Sequence, residues 1–140
     1  MLQRRKQESK NINIYLIDNI KVDIVNYHYP WLKSPHFEDG LILANTTDVA
    51  AMKLSAITGR GTKKDFIDLF FLLKDYKFSD IINFYKQKYS DGSVFLVLKS
   101  LLYFDDAEES NEPIIMLSGE TWENIKATIK QTVESYLKTI

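Results

Sequence analysis

The chain contains no cysteine. That excludes a disulfide scaffold, cysteine-ligated zinc, iron–sulfur clusters and thiol catalysis. Proline is scarce at three residues, and none of the five glycines is adjacent to another. No apolar run approaches the ~18 residues of a membrane span. The first ten residues, MLQRRKQESK, carry charge with no apolar stretch behind them, so no signal peptide is read there. Neither sign of charge dominates: 18 basic residues stand against 19 acidic ones. A globally basic nucleic-acid coat is excluded, while a local basic patch is not. What is present is ordinary for a globular protein, with 45% hydrophobic and 26% charged residues. Aromatics reach 13%, enough to supply a core in 140 residues. Length allows one domain or a piece of one. The expectation is a soluble, cytoplasmic chain without a membrane partner.

Hydropathy patterning divides the chain into a strand-rich start and a helical remainder. Ile12, Ile14 and Leu16 alternate with Asn13 and Tyr15, Asp18-Asn19 marks a turn, and Ile20, Val22 and Ile24 alternate with Lys21, Asp23 and Val25. Residues 11–26 therefore predict a β-hairpin. Two strands alone are marginal in water, so another strand must complete the sheet. Leu41–Ala44 is a candidate short third strand, after a loop over 27–40 in which Trp31 and Phe37 are read as anchors. A helix capped by Thr46 or Thr47 is expected to run to about Ile57 and stop at Gly59. A second starts at Thr62 with Asp65 three residues on, the spacing of a capping box. Ser79 is read as the cap of a third, and 92–104 as a fourth, apolar nearly all round and therefore buried. The acidic stretch Asp105, Asp106, Glu108, Glu109 and Glu112 reads as a solvated loop. A last helix begins near Thr121 with Trp122, Ile125, Ile129, Val133, Tyr136 and Ile140 on one stripe.

Charges that interrupt these apolar patterns are the candidate functional residues. Lys53 lies within VAAMKLSAI, where a lysine either snorkels to the rim or holds an anion at a site edge. Asp68 lies within FIDLFFLL and shares a helix face with Asp65 and Lys64. Asp65 serves the Thr62 cap; Asp68 either pairs with Lys64 at a solvated edge or faces a site. Asp23 sits in IKVDIV although aspartate is a poor strand former. It is either an exposed edge residue or a carboxylate of the kind that Mg²⁺ chemistry uses. Gly59-Arg60-Gly61-Thr62-Lys63-Lys64 joins glycines, cations and a helix N-terminus, a combination suited to phosphate, though the spacing is not that of a Walker A loop. The alternative is a helix-to-helix turn with solvated cations. His28 and His36 are read as structural.

The segment DVAAMKLSAITGRGTKKDFIDLFFLLKDY resembles the AbiEii/AbiGii abortive-infection family of nucleotidyltransferase-like toxins. NIKVDIVNYHYPWLK upstream and VLKSLLYFDDAEESNEPIIML downstream resemble the family's strand, Pro-aromatic loop and helical half, so the likeness covers roughly residues 19–139. Members are similar to polymerase-β-type nucleotidyltransferases. The resemblance implies an α+β fold: a partial nucleotidyltransferase sheet and loop over 1–45, then a mainly helical portion over 46–140, as one compact unit. It implies nucleotidyl transfer from a nucleoside triphosphate to an acceptor such as tRNA, Mg²⁺ in the complete enzyme, and an antitoxin partner. Lys53 matches the family lysine, implied to neutralise the triphosphate. Asp65 and Asp68 match its Lys-Asp-x-x-Asp motif, implied to position that lysine or the acceptor. Asp23 lies where a metal-holding strand carboxylate is expected, and Arg60, Lys63 and Lys64 are the implied phosphate-binding cations.

Two motifs of that family are missing: no Gly-Gly-Ser/Thr and no Asp-x-Asp occurs in the 140 residues. The expectation is the C-terminal part of such a toxin, inactive as this chain alone. The alternative is a non-catalytic interaction or nucleotide/RNA-binding remnant. Two structural expectations accompany these readings. Lys53 and Asp68 should face one shared polar cleft, and the hairpin should keep an edge open to an oligomeric partner.

Overall fold

The computed structural model describes the backbone of residues 3–8 and 10–140, and side chains from Lys10 onward. The protein is α+β and mostly helical, and its chain divides into two compact units, up to Pro30 and from Trp31.

The first unit is a three-stranded antiparallel sheet in the order β1 (Gln3–Glu8), β2 (Ile12–Ile17), β3 (Ile20–Val25). β2 and β3 form the expected hairpin, with Ile17 opposite Ile20 and Ile12 opposite Val25. Asp18 and Asn19 turn it with φ of 48° and 66°, the two left-handed residues that a tight hairpin matched to strand twist requires. The strand that completes the sheet is β1, not Leu41–Ala44. β1 pairs along β2 with a register shift between Arg5 and Gln7, where Lys6 is the additional residue of a bulge. Its sequence, QRRKQE, has no apolar alternation to announce a strand, and its pairing with β2 is what defines it as one.

In the second unit, β4 (His36–Glu38) and β5 (Leu41–Leu43) make a separate two-stranded hairpin, turned at Asp39 and Gly40 with φ of 49° and 77°. Leu41–Leu43 is thus a strand, but of this small exposed hairpin. The helices follow: α1 (Thr46–Arg60), α2 (Lys63–Asp75), α3 (Phe78–Lys88), α4 (Val94–Leu101), α5 (Asp105–Glu108) and α6 (Trp122–Leu137). α1 is central and packs against α2, α3 and α4, while α6 closes over α2, α3 and α4. The buried stripe of α1, Ala50, Ala51, Leu54 and Ile57, meets Phe66 and Leu69 of α2, Ile81 and Ile82 of α3 and Val97 and Leu101 of α4. Ile125, Ile129 and Val133 of α6 are buried as the stripe predicted, whereas Ile140 is exposed.

Several boundaries differ from the sequence expectation for local reasons. α1 is capped by Asn45, whose Oδ1 accepts from the Thr47 N–H at 3.0 Å and the Thr47 hydroxyl at 2.9 Å. It runs through Gly59 to Arg60, and the glycine that matters is Gly61: a Cβ there would meet the Phe66 ring at 2.9 Å. α3 starts one residue before Ser79, with Lys77 at the cap position. α4 is shorter than 92–104, capped by Ser93, whose Oγ accepts from the Leu96 N–H at 3.2 Å. Nor is it buried all round: Val97, Leu98 and Leu101 are inside, while Phe95 is 76% exposed. Part of the acidic stretch is helical rather than loop, because the buried Ala107 anchors the α5 turn to the core.

Candidate functional site

The link Gly61-Thr62 folds α2 back along α1, bringing the C-terminal half of one helix beside the N-terminal half of the other. Lys53 reaches across this seam. Its Nζ lies 2.8 Å from Asp68 Oδ2 and 3.3 Å from Asp65 Oδ1. Asp65 is fixed independently: its Oδ2 accepts from the Thr62 N–H at 3.1 Å and the Thr62 hydroxyl at 3.0 Å, as the capping-box spacing predicted. Burial pulls the Lys53 pKa down, but the hydrogen bond and charge of Asp68, together with Asp65, outweigh it and hold the ammonium above its ordinary value near 10.5. At neutral pH Lys53 is therefore a positioned cation, unsuited to act as a base or amine nucleophile.

The structure thus brings together three of the four sequence-derived catalytic candidates: Lys53, Asp65 and Asp68. They meet as an ion-paired cluster rather than across an open polar cleft. Asp68, about half exposed, lines shallow grooves formed with Lys64, Ile67, Phe71 and the extended segment Pro113–Ser118; Lys53 is not among the lining residues.

Asp23 belongs to the first unit, on β3, where its carboxylate lies 3.3 Å from Lys21 Nζ. Its cross-strand neighbour is Ile14, which offers no second carboxylate. Among the described residues no group of three His, Cys, Asp or Glu side chains could hold a metal ion. Hard Mg²⁺ needs several oxygens on one rigid frame. These residues do not fit the metal that the family resemblance implies.

The cationic loop has local partners that the sequence reading missed. Glu112 lies 3.1 Å from Lys64, and Glu109 lies 4.0 Å from Arg60. Lys63 places its ammonium 5.4 Å from the centre of the Trp122 ring, and its backbone N–H donates to Ser110 Oγ at 3.3 Å. The acidic stretch therefore lies against the basic one, and the α2 N-terminus is already engaged by Asp65 and Ser110. The signal available in the sequence was the opposite sign of the two runs; nothing local showed that segments 47 positions apart would fold together.

A second missed pair is fully buried. Asp48 and Lys88 are 0% and 1% exposed in their side chains, with Oδ1 and Nζ 2.8 Å apart. Asp48 also accepts from the Leu32 N–H at 2.8 Å and the Lys33 N–H at 3.2 Å, so it pins the loop after Trp31 to α1 and α3. Burial alone would raise the Asp48 pKa, but the hydrogen bonds from Leu32, Lys88 and Lys33 hold it below its ordinary value. This saturated geometry makes the pair structural.

The chain is similar to an uncharacterized protein, aq_aa25, from Aquifex aeolicus (strain VF5), at 37% identity over 136 residues. The match takes in 94% of this chain and 64% of that relative, so the chain spans less than two thirds of the relative's length. No family model matches the chain. No solved structure matches it.

Proposed function

We propose that this chain is the C-terminal portion of a nucleotidyltransferase-like toxin of the AbiEii/AbiGii type, whose complete form transfers a nucleotide from a nucleoside triphosphate to an acceptor such as tRNA. The observation that carries the reading is the Lys53–Asp65–Asp68 cluster, formed across two helices by the residues on which the resemblance rests. In this reading Lys53 supplies positive charge to a phosphate. Asp65, tied to the α2 cap, holds the ammonium from the inner side. Asp68 is the exposed and exchangeable partner, whose place a phosphate oxygen takes. An exposed Lys–Asp pair alone contributes little stability, so two carboxylates on one lysine favour a positioning task.

The chain by itself is read as binding without turnover, because the carboxylates among the described residues do not build a site for metal-assisted phosphoryl chemistry. A second reading, a nucleotide- or RNA-binding module with no catalytic role, rests on Lys53 rather than on the cationic loop, because Glu109 and Glu112 already lie against Arg60 and Lys64. An antitoxin remains part of the first reading only.

The test is to incubate purified chain with labelled nucleoside triphosphates, Mg²⁺ and total tRNA while measuring triphosphate binding in parallel. Expected are weak binding that is lost in Lys53→Ala and no label incorporation. Incorporation that disappears in Lys53→Ala would show a complete site and overturn the inactivity. Binding that is absent, or unchanged in Lys53→Ala, would remove the nucleotide role of the cluster.

A further inference from the structure

β3 leaves one edge of the first sheet unpaired among the described residues. The two edges of that sheet differ. β1 carries a bulge at Lys6 and the sequence charges Arg4, Arg5, Lys6 and Glu8, features that blunt edge-to-edge pairing. β3 pairs without a register shift, contains no proline, and leaves Ile20 and Ile24 at 66% and 57% exposure.

The hairpin fixes which backbone groups of β3 face outward. The Asn26 N–H donates to Asn11 O at 2.8 Å, so opposite pairs 11 and 26, 13 and 24, 15 and 22, and 17 and 20 are the hydrogen-bonded ones. Ile20, Val22 and Ile24 thus direct their N–H and C=O groups into the sheet. Lys21, Asp23 and Val25 direct theirs to the free edge.

We propose that this edge docks a second copy of the chain, β3 against β3, antiparallel about a two-fold axis at Val22. In that register Lys21 lies opposite Asp23 of the second copy, and both are outward-facing, so they form hydrogen-bonded pairs. On the other face Ile20 lies opposite Ile24 of the second copy, and Val22 meets itself. Both charges then face their complements, and Ile20, Val22 and Ile24 each face an apolar residue, while Val25 falls opposite Asn19 of the turn; this is the self-complementarity that a two-fold interface demands. Moving the axis to Lys21 or Asp23 sets like charges directly opposite each other. Moving it to Ile24 leaves Asp23 opposite Val25. Of these registers only the one at Val22 pairs both charges with their opposites and the Ile20, Val22 and Ile24 face with itself, and it joins two three-stranded sheets into a continuous six-stranded one. This inference is independent of the nucleotide reading.

The native chain lacks cysteine, which makes the register directly testable. Residues opposite each other in a non-hydrogen-bonded antiparallel pair have Cα atoms about 4.5 Å apart, within disulfide range. Val22→Cys should therefore cross-link to a dimer under mild oxidation, while Ile20→Cys and Ile24→Cys, which do not meet themselves, should not. In sedimentation equilibrium the native chain should approach twice its 16.3 kDa mass as concentration rises. Asp23→Lys should weaken the dimer about tenfold or more, because two attractive pairs become repulsive. Combining it with Lys21→Asp should restore the dimer. A native chain that stays monomeric throughout, cross-linking indifferent to position, or a dimer indifferent to the charge swap would each overturn the proposal.

Discussion

Two lysines sit inside the helical core pattern, and their surroundings give them different work. Lys88 is sealed from solvent with one carboxylate, Asp48, which also satisfies two backbone N–H groups. Breaking such a pair from one side leaves a buried charge uncompensated. Asp48→Asn should therefore cost about 3 kcal/mol in urea unfolding, with Asp48→Asn plus Lys88→Met recovering most of it. A double variant as unstable as the single one would contradict this. The pH dependence has a definite sign. Asp48 has a folded pKa below its ordinary value near 3.8, so its stabilisation is present above that value and is lost as pH falls through the lower, folded one. The acid limb of the stability curve should be shallower in Asp48→Asn. Lys53, raised above 10.5 when folded, behaves oppositely: its contribution is present below 10.5 and is lost as pH rises through the folded value. Its two carboxylates also differ. Asp65 closes the α2 cap, so Asp65→Ala should cost about 1–2 kcal/mol, whereas the half-exposed Asp68 should cost under about 1 kcal/mol when truncated. Equal costs would argue against a separate cap role for Asp65.

At the scale of elements, α2 shows what a local pattern can reveal. The Thr62 cap, the Asp65 return bond and the apolar positions Phe66, Leu69 and Phe70 were all present in one short stretch of sequence. The hairpin was equally legible, because alternation and an Asp-Asn turn are local signals. Legibility ended where an element depends on remote partners. β1 has no alternation of its own and becomes a strand only against β2. α4 reads as apolar on every side, and only the packing decides that Val97 is inside and Phe95 outside. The ion pair of Asp48 with Lys88 spans 40 positions, so no spacing rule could disclose it. In the candidate site, the resemblance was what set Lys53 beside Asp65 and Asp68; helix patterning by itself gave Asp65 to the Thr62 cap and offered Lys64 as the partner of Asp68. The carboxylates facing Arg60 and Lys64 followed from neither, since they arrive from beyond α4. Gly61 gives this scale its own prediction. A Cβ at that position meets the Phe66 ring at 2.9 Å, and the ring is buried, so Gly61→Ala should destabilise by about 1–3 kcal/mol through overpacking. Gly59→Ala, with open space around its Cβ and a helical backbone, should be neutral or slightly stabilising. Thermal melts of the two variants separate these outcomes.

At the scale of the whole molecule, core and sheet belong to different parts of the chain. Every residue of the buried hydrophobic cluster, from Ala50 to Val133, lies in the unit that begins at Trp31. The Asp48–Lys88 pair and its bonds to Leu32 and Lys33 lie there too, so the loop after Trp31 is tied to the helices from its start. The first unit holds three short strands, and β2 and β3 contain no residue buried below the level of the helical core. Sheets of that size gain little from burial and depend on what they pair with. Residues 31–140 should consequently fold without the sheet, giving a helical circular-dichroism spectrum and one cooperative melt within a few degrees of the full chain. Residues 1–30 as an isolated peptide should show no cooperative transition. The loss of cooperativity in the 31–140 fragment would show that the helical core requires the sheet, and would place the chain's stability in both units jointly.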